Sequence, residues 1–190
     1  MNNKGYISNQ DQILDDSQLV DLCKAKDKMA QKALYDKYAI KMMRTCLRYL
    51  NDEMEAEDAV IDGFMKIYSK IDTFEYRGKG SLEGWIKRIM VNESLMLLRK
   101  RKMDQVELEK VHDLSSAEED IESQLMEETI VNVIQQLPTG YRTVFNMYVV
   151  EGYSHKEIGE KLNISENTSK SQLSKARASL SKSLSQIGAL

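Results

Sequence analysis

The stretch LPTGYRTVFNMYVVEGYSHKEIGEKLNISENTSKSQLSKARASL, residues 137–180, contains two helix starts separated by a short turn. Ser154 and Glu157 form a capping box, in which each side chain accepts a hydrogen bond from a backbone N–H group at the helix start. Asn163 ends that helix, because asparagine tolerates the left-handed conformation that often follows a last turn. Ser165 then caps the next helix. The stretch therefore predicts a helix-turn-helix.

The second helix of this unit has an apolar stripe and a polar face. Its apolar residues recur at spacings of three and four, as Leu173, Ala176 and Leu180. The other face carries amide, hydroxyl and cationic groups, which bind phosphate oxygens and base edges in a major groove. These candidate DNA-binding residues are Asn167, Thr168, Lys170, Ser171, Gln172, Lys175 and Arg177.

A basic face on an amphipathic helix is most often only a solvated surface. DNA binding is favoured here because a support helix and the two helices of a helix-turn-helix follow one another in the expected order along the chain. A preceding helix, residues 141–150, ends at Glu151-Gly152-Tyr153 and would support the two helices that follow. In a complete helix-turn-helix the second helix enters the major groove.

The same residues carry a family resemblance. LPTGYRTVFNMYVVEGYSHKEIGEKLNIS followed by TSKSQLSKAR resembles the promoter minus-35-binding domain of sigma-70 family sigma factors, in particular the extracytoplasmic-function group. Two positions depart from that pattern: Ser169 stands where the family usually has valine, and Gln172 where it usually has arginine. The first introduces a hydroxyl into an apolar position, and the second removes a cation but could pair with adenine.

Composition predicts an all-α protein, because helix formers dominate the 190 residues and Pro138 is the single proline. Cys23 and Cys46 lie in apolar-periodic stretches without metal-ligand spacing, so we expect reduced core thiols and neither a metal nor a cofactor. The N-terminal residues contain no apolar run typical of a signal peptide, and nothing later suggests membrane insertion. The sequence therefore predicts a cytoplasmic protein.

Charge is distributed unevenly along the chain. Residues 103–129 contain ten acidic side chains and one basic one, a net charge of −9, so the rest of a chain with a net charge of −3 carries +6. Such charge runs are usually solvated. About 25 residues span on the order of 80 Å when extended, which exceeds the roughly 35 to 70 Å between DNA elements one to two turns apart. The predicted division is a tail (1–15), a first domain (16–102), an acidic linker (103–127) and a second domain (128–190).

Three helices are predicted in the first part of the first domain from apolar periodicity. They span residues 17–38, with a break near 26–28, then 39–50, then 54–71. The buried stripe predicted for the third helix consists of Val60, Ile61, Phe64, Ile67, Tyr68 and Ile71.

Three acidic residues, Glu55, Asp58 and Asp62, line up on another face of the third helix. Acids on an exposed helix usually only increase solubility, and without a cleft or metal they are poor candidates for acid–base chemistry. However, AEDAVIDGFMKIY resembles the sigma segment that binds the clamp helices of the largest polymerase subunit. The resemblance implies that these carboxylates face basic side chains of the polymerase, which aids encounter and register.

A loop over residues 72–83, with Gly78 and Gly80 as breakers, precedes a helix that begins near Ser81 and ends in the cationic cluster 99–102. Cations at a helix C-terminus favour the macrodipole, but four in a row exceed what this needs. We expect Trp85 to lie in the helical core rather than on a DNA-binding surface.

FEYRGKGSLEGWIKRIMVNESLMLLRKRK resembles the sigma segment that captures the melted minus-10 element. Single-strand capture needs a cationic groove and surfaces for splayed bases. The resemblance implies a set of minus-10 residues, with Tyr76 as the candidate stacking partner: Tyr76, Arg77, Lys79, Lys87, Arg88, Asn92, Arg99 and Arg101.

Together, the resemblances imply a sigma factor that gives bacterial RNA polymerase its promoter specificity. The implied partners are promoter DNA and core polymerase, through the clamp of its largest subunit and the flap of its second-largest subunit. The acidic linker would thread through the polymerase cleft. Many such factors are held by an anti-sigma factor, a candidate partner that no residue here demonstrates.

Two rival functions stay open. A conventional helix-turn-helix regulator would bind its operator tightly without polymerase, whereas a polymerase-binding adaptor without promoter recognition is compatible with Ser169 and Gln172. An enzyme is disfavoured, since the two histidines, His112 and His155, form no catalytic constellation with other residues.

Overall fold

The computed structural model describes residues 14–107 and 124–187, with the main chain alone for 102–107 and 124–129. These residues form eight α-helices and no strand, which confirms the all-α prediction. The helices are α1 (Asp16–Lys24), α2 (Lys28–Leu50), α3 (Glu53–Lys70), α4 (Ser81–Glu107), α5 (Gln124–Gln135), α6 (Thr139–Phe145), α7 (His155–Leu162) and α8 (Glu166–Gln186).

A sharp break separates α1 from α2. Lys26 adopts a left-handed conformation with φ 59°, and the Asp27 side chain accepts a hydrogen bond from the N–H of Ala30 to start α2. The predicted break near residues 26–28 is therefore confirmed. The predicted boundary between Tyr38 and Ala39 is wrong, because no capping residue or breaker interrupts α2 there and its apolar stripe continues to Leu50.

Helices α2, α3 and α4 pack together as the core of the first domain. Gly63 of α3 lies directly against the Met90 side chain of α4, where a Cβ atom would collide with the Met90 sulfur. The prediction that Ile61 belongs to the buried stripe is wrong, since its side chain is 56% exposed. Trp85 is half-buried and packs on Phe74, with ring centroids 4.8 Å apart.

The loop before α4 begins with a single 3₁₀ turn, Ile71–Thr73. Gly78 and Gly80 have positive φ values of 100° and 84°, which explains why this loop needs glycine at both positions. The Ser81 hydroxyl donates to the Gly78 carbonyl and accepts from the N–H of Arg77, so α4 begins at the predicted residue.

Helices α5 to α8 form the second domain. The predicted support helix is present in two parts, because α6 passes into a π-helical turn, Asn146–Val150. The capping box at Ser154 is formed, and Asn163 has φ 53° at the end of α7, as predicted. The apolar stripe of α8 is buried, with Leu173, Ala176 and Leu180 among the core residues.

The two domains share a core. Val144, Met147, Ile158 and Leu173 of the second domain join the apolar cluster of the first. Both cysteines are buried and free, and burial raises the pKa of the Cys46 thiol to about 11, which keeps it neutral.

The acidic linker falls largely outside the described residues. Helix α4 continues to Glu107 and α5 begins at Gln124, so both ends of the predicted 103–127 segment are helical. His112 and the rest of the predicted linker, residues 108–123, lie outside the described residues. Across the ranges that the structure describes, no helix is both long enough and apolar enough to span a bilayer.

Candidate nucleic-acid interface

The recognition face of α8, defined by the seven residues predicted for minus-35 DNA, begins at a capped N-terminus. The Ser165 hydroxyl accepts a hydrogen bond from the N–H of Thr168 at 3.0 Å. Exposed polar side chains follow along the helix, namely Asn167, Lys170, Ser171, Lys175 and Arg177. Lys170 pairs with Glu166, one turn earlier, at 2.7 Å. This exposed ion pair contributes little stability and can be exchanged for a phosphate.

Two residues of the recognition face are partly turned into the protein. The Thr168 hydroxyl lies 2.8 Å from the Ser165 hydroxyl and takes part in the cap. The amide of Gln172 packs against Gly140 of α6. Both side chains are only half-exposed, so they are less available to DNA than the other five residues.

Ser169, one of the two departures from the family pattern, is fully buried. Its hydroxyl and Nδ1 of His155 form a hydrogen bond of 2.9 Å, which links α8 to the start of α7. Tyr148 stacks on the His155 ring with centroids 4.4 Å apart, and the Arg177 guanidinium lies 6.0 Å from the Tyr148 ring. The hydroxyl is therefore satisfied by a second polar side chain. No local signal in the sequence indicates this role of His155.

The start of α7 is held by the capping box. The carboxylate of Glu157 accepts hydrogen bonds from the backbone N–H and the hydroxyl of Ser154, at 2.8 and 2.7 Å. These bonds hold the pKa of Glu157 below its ordinary value, since they favour the ionised form. The cap therefore fixes the first turn of α7 at Ser154.

The predicted minus-10 residues divide into a loop set and a helix set. In the loop, Tyr76, Arg77 and Lys79 are exposed, and Arg77 pairs with Glu75 at 3.1 Å in a fully solvated contact. This set is accessible to a nucleic acid.

The helix set extends along α4 from Lys87 to Arg101 and makes several contacts with other residues. Lys87 pairs with Glu151 at 2.7 Å. Asn92 accepts a hydrogen bond from Lys161 at 3.2 Å, and Arg99 donates to the Lys161 carbonyl at 2.8 Å.

The last two members of the helix set have different surroundings. Arg88 is exposed beside Tyr153, whose pKa is raised by burial and lowered in part by the Arg88 charge. Arg101 lies 3.6 Å from Glu55. Three of the five predicted residues of α4 therefore contact the second domain, whereas Arg101 contacts α3.

The acidic row of α3, which consists of Glu55, Asp58 and Asp62, is only partly exposed to solvent. Asp58 and Asp62 are exposed, whereas Glu55 is half-buried against Arg101. Beside this row runs an open groove between α2 and α3. Its lining is mostly apolar with a few charges, and consists of Tyr35, Ala39, Ile40, Met43, Arg44, Glu53, Glu57, Val60 and Ile61.

Several apolar side chains on and around the groove are exposed to solvent. Ile40, Met54, Ile61 and Met65 have exposed fractions between 56% and 78%. Such a patch usually marks an interaction surface. Periodicity predicted Ile61 to be buried, because apolar spacing alone does not distinguish a core residue from one on such a surface.

Two family models match the chain. Sigma-70 region 2 matches residues 34–103, and Sigma-70, region 4 matches residues 127–180. The ECF RNA polymerase sigma factor SigW of Bacillus subtilis (strain 168) is 32% identical over 177 residues, which cover 86% of this chain and 94% of SigW. The chain belongs to the sigma-70 family, in its ECF group.

A second relative of this sigma factor is the RNA polymerase sigma-H factor of Pseudomonas aeruginosa. The two proteins are 27% identical over 185 residues, which cover 90% of this chain and 95% of the relative. Among solved structures, RpoE of Bartonella quintana, crystallised with the anti-sigma factor NepR, is similar with a TM-score of 0.54 and 23% identity over 81% of this chain and 98% of that one. This similarity concerns the fold alone. The sigma factor is a transcription initiation factor with regions 2 and 4.

Proposed function

We propose that this sigma factor docks on core RNA polymerase through α2 and α3 and directs initiation at promoters with paired upstream elements. The recognition face of α8 would bind duplex minus-35 DNA. The loop with Tyr76, Arg77 and Lys79, together with the helix set of α4, would hold melted minus-10 DNA. The observation that carries this proposal is the capped helix-turn-helix, whose second helix exposes five polar or cationic side chains along one side.

The polymerase-binding part rests on the chemistry of the α2–α3 surface. Exposed apolar side chains line an open groove, and the free carboxylates of Asp58 and Asp62 lie on the outer side of α3. An apolar groove beside an acidic row is complementary to amphipathic helices with basic side chains. The clamp helices of the largest subunit are the proposed partner, and the flap of the second-largest subunit is the proposed partner of the second domain.

The test is transcription in vitro on fragmented genomic DNA with purified core polymerase, in the presence and absence of this chain, with transcript starts mapped. Starts that depend on the chain and share two upstream elements would establish the proposal. Core binding without new starts would instead favour an adaptor. Tight, sequence-specific DNA binding without polymerase would favour a conventional regulator.

A further inference from the structure

A row of four side chains links the core of the helix-turn-helix to the recognition face of α8. The buried Ser169 hydroxyl is hydrogen-bonded to Nδ1 of His155 at 2.9 Å. The His155 ring stacks on the Tyr148 ring, with centroids 4.4 Å apart and 20° between the planes. The Arg177 guanidinium lies 6.0 Å from the centroid of the Tyr148 ring. This row, called the aromatic row below, begins at a buried hydroxyl and ends at an exposed cation of the proposed minus-35 site.

Arg177 lies at the border between the buried stripe of α8 and its recognition face. It follows the buried Leu173 by four residues, and its own side chain is exposed. Residues four apart lie on the same side of a helix, so the Arg177 side chain leaves α8 close to the core. A long arginine side chain has many rotamers that keep its charge in water, and ordering it costs entropy. A fixed neighbour that selects one direction reduces this cost.

Tyr148 is such a fixed neighbour, because the π-helical turn that carries it is anchored at both ends to Arg48 of α2. At the start of the turn, the fully buried Asn146 donates to the Arg48 carbonyl at 2.8 Å. Directly after the turn, the Glu151 carboxylate pairs with the Arg48 guanidinium at 3.2 Å. Tyr148 itself is 37% exposed. The turn is therefore held on its inner side and presents the Tyr148 ring on its outer side.

His155 restrains the Tyr148 ring. It is the first residue of α7, and the Ser154–Glu157 capping box fixes that helix start. Its imidazole is half-buried, and the hydrogen bond to Ser169 fixes the plane of the ring. Stacked aromatic rings attract each other in addition to the apolar area that they bury. The imidazole therefore keeps the Tyr148 ring in one orientation.

The ring of Tyr148 can orient the Arg177 charge without neutralising it. The face of an aromatic ring attracts a guanidinium within about 6 Å but carries no net charge. Lys170 of the same face is different, since its partner is the Glu166 carboxylate at 2.7 Å, which a phosphate must displace. The direction of Arg177 is thus restrained while its full charge remains available to DNA.

We infer that Tyr148 and His155 are positioning residues for the minus-35 contact: their stacked rings direct the Arg177 guanidinium toward a DNA phosphate at the edge of the recognition face. This inference rests on the proposed function of α8. Neither ring has to touch the DNA, because each acts through the next member of the aromatic row. Preorganisation of this kind raises affinity by reducing the entropy that is lost on binding.

The test is a double-mutant cycle on Tyr148 and Arg177 in the full chain. Fluorescence anisotropy measures binding to a duplex that carries the minus-35 element of a mapped start, at several salt concentrations. Arg177→Ala is expected to reduce the slope of log Kobs against log salt by about 0.9. Tyr148→Leu is expected to reduce the affinity by about fivefold. In the Arg177→Ala background Tyr148→Leu should have no further effect, because both residues act through one contact.

Three further variants complete the experiment, and thermal unfolding of each shows that it is folded. Tyr148→Phe keeps the ring and should bind like the wild type. Val149→Ala is the matched control, because Val149 is an exposed residue of the same turn outside the aromatic row; it should leave the affinity unchanged. His155→Ala removes the stacking partner and should weaken binding in the same direction as Tyr148→Leu, again only when Arg177 is present.

The outcomes separate failure of the contact from failure of the positioning role. If Arg177→Ala changes neither affinity nor slope, Arg177 makes no phosphate contact, and the inference fails together with that part of the proposed site. If Arg177→Ala weakens binding but the effects of Tyr148→Leu and Arg177→Ala are additive, or Tyr148→Leu has none, only the positioning role is overturned. A loss for Tyr148→Phe as large as that for Tyr148→Leu would also overturn it, since the hydroxyl and not the ring would then be responsible.

Discussion

The hydroxyl of Ser169 on α8 and Nδ1 of His155 on α7 lie 2.9 Å apart and join the two helices of the helix-turn-helix. The family resemblance predicts an apolar side chain at this position. Here a fully buried hydroxyl is paired with a half-buried imidazole that also stacks on Tyr148. The orientation of the recognition helix therefore depends on a polar contact as well as on packing.

Removal of the Ser169 hydroxyl should destabilise the protein. Ser169→Ala loses one buried hydrogen bond, at a cost of about 1 kcal/mol, which lowers Tm by roughly 2 to 4 °C in a chain of this size. Ser174→Ala is the matched control, because Ser174 is exposed on the same helix and the change in helix propensity is identical. The measurement is thermal unfolding followed by circular dichroism. Equal Tm values for the two variants would show that the hydrogen bond contributes nothing.

The capping box of α7 should make stability depend on pH. The pKa of Glu157 is below its ordinary value of 4.5 in the folded state, because the Ser154 N–H and hydroxyl bind the carboxylate. A lowered folded-state pKa stabilises the fold above the unfolded-state pKa, and this contribution is lost as the pH falls through the folded-state value. Glu157→Gln should thus lower Tm at neutral pH but lose this difference in acid.

The control for the pH experiment is Glu160→Gln in the same helix, whose carboxylate is exposed. Its Tm should follow that of the wild type at every pH. A Tm difference for Glu157→Gln that persists unchanged well below its ordinary pKa would mean that the carboxylate charge has no part in the cap.

The recognition face should bind DNA with a measurable counterion effect. Lys170 and Lys175 are both exposed on α8, and Lys170 must exchange Glu166 for a phosphate. The double variant Lys170→Ala with Lys175→Ala should reduce the slope of log Kobs against log salt by about 0.9 for each lost phosphate contact. Fluorescence anisotropy with duplex minus-35 DNA at several salt concentrations measures the slope. If it does not change, these lysines make no backbone contact.

Charge reversal on α3 should weaken binding to core polymerase. Asp58→Lys with Asp62→Lys places two cations on the acidic row and is expected to reduce the affinity by about tenfold, mainly through slower association. Asp21→Lys with Asp72→Lys, at two exposed residues outside α3, controls for the same change in net charge. Binding of the C-terminal helix-turn-helix to duplex DNA should be the same in all three proteins. An unchanged affinity for core polymerase would exclude Asp58 and Asp62 from the docking surface.

Local signals in the sequence determined the helix boundaries that matter most for the DNA-binding unit. Ser154, Asn163 and Ser165 act on backbone groups within four residues, so their capping roles can be deduced without knowledge of the fold. The break at Lys26 is of the same kind. The error at residue 38 arose where no such signal exists, because an uninterrupted apolar stripe does not show where one helix ends.

Composition predicted the all-α class, and periodicity predicted which side of each helix is apolar. Periodicity could not determine whether each apolar face packs against another helix or remains exposed to solvent. Ile61 shares its spacing with core residues but lies on the open groove, because burial depends on whether another helix packs over that particular side. The resemblance identified Ser169 as an unusual residue. Its hydrogen-bond partner, His155, could not be predicted, because the contact depends on how α7 and α8 pack.

Only the tertiary structure decided how the two domains meet. Arg48 and Glu151 are 103 residues apart, and nothing near either residue in the sequence indicates the other. The sequence by itself determined that Lys87, Asn92 and Arg99 are polar or cationic residues on one helix, but not that the second domain contacts them. Capping and periodicity are local in the chain, whereas ion pairing depends on distance in space, which is established only when the helices have packed.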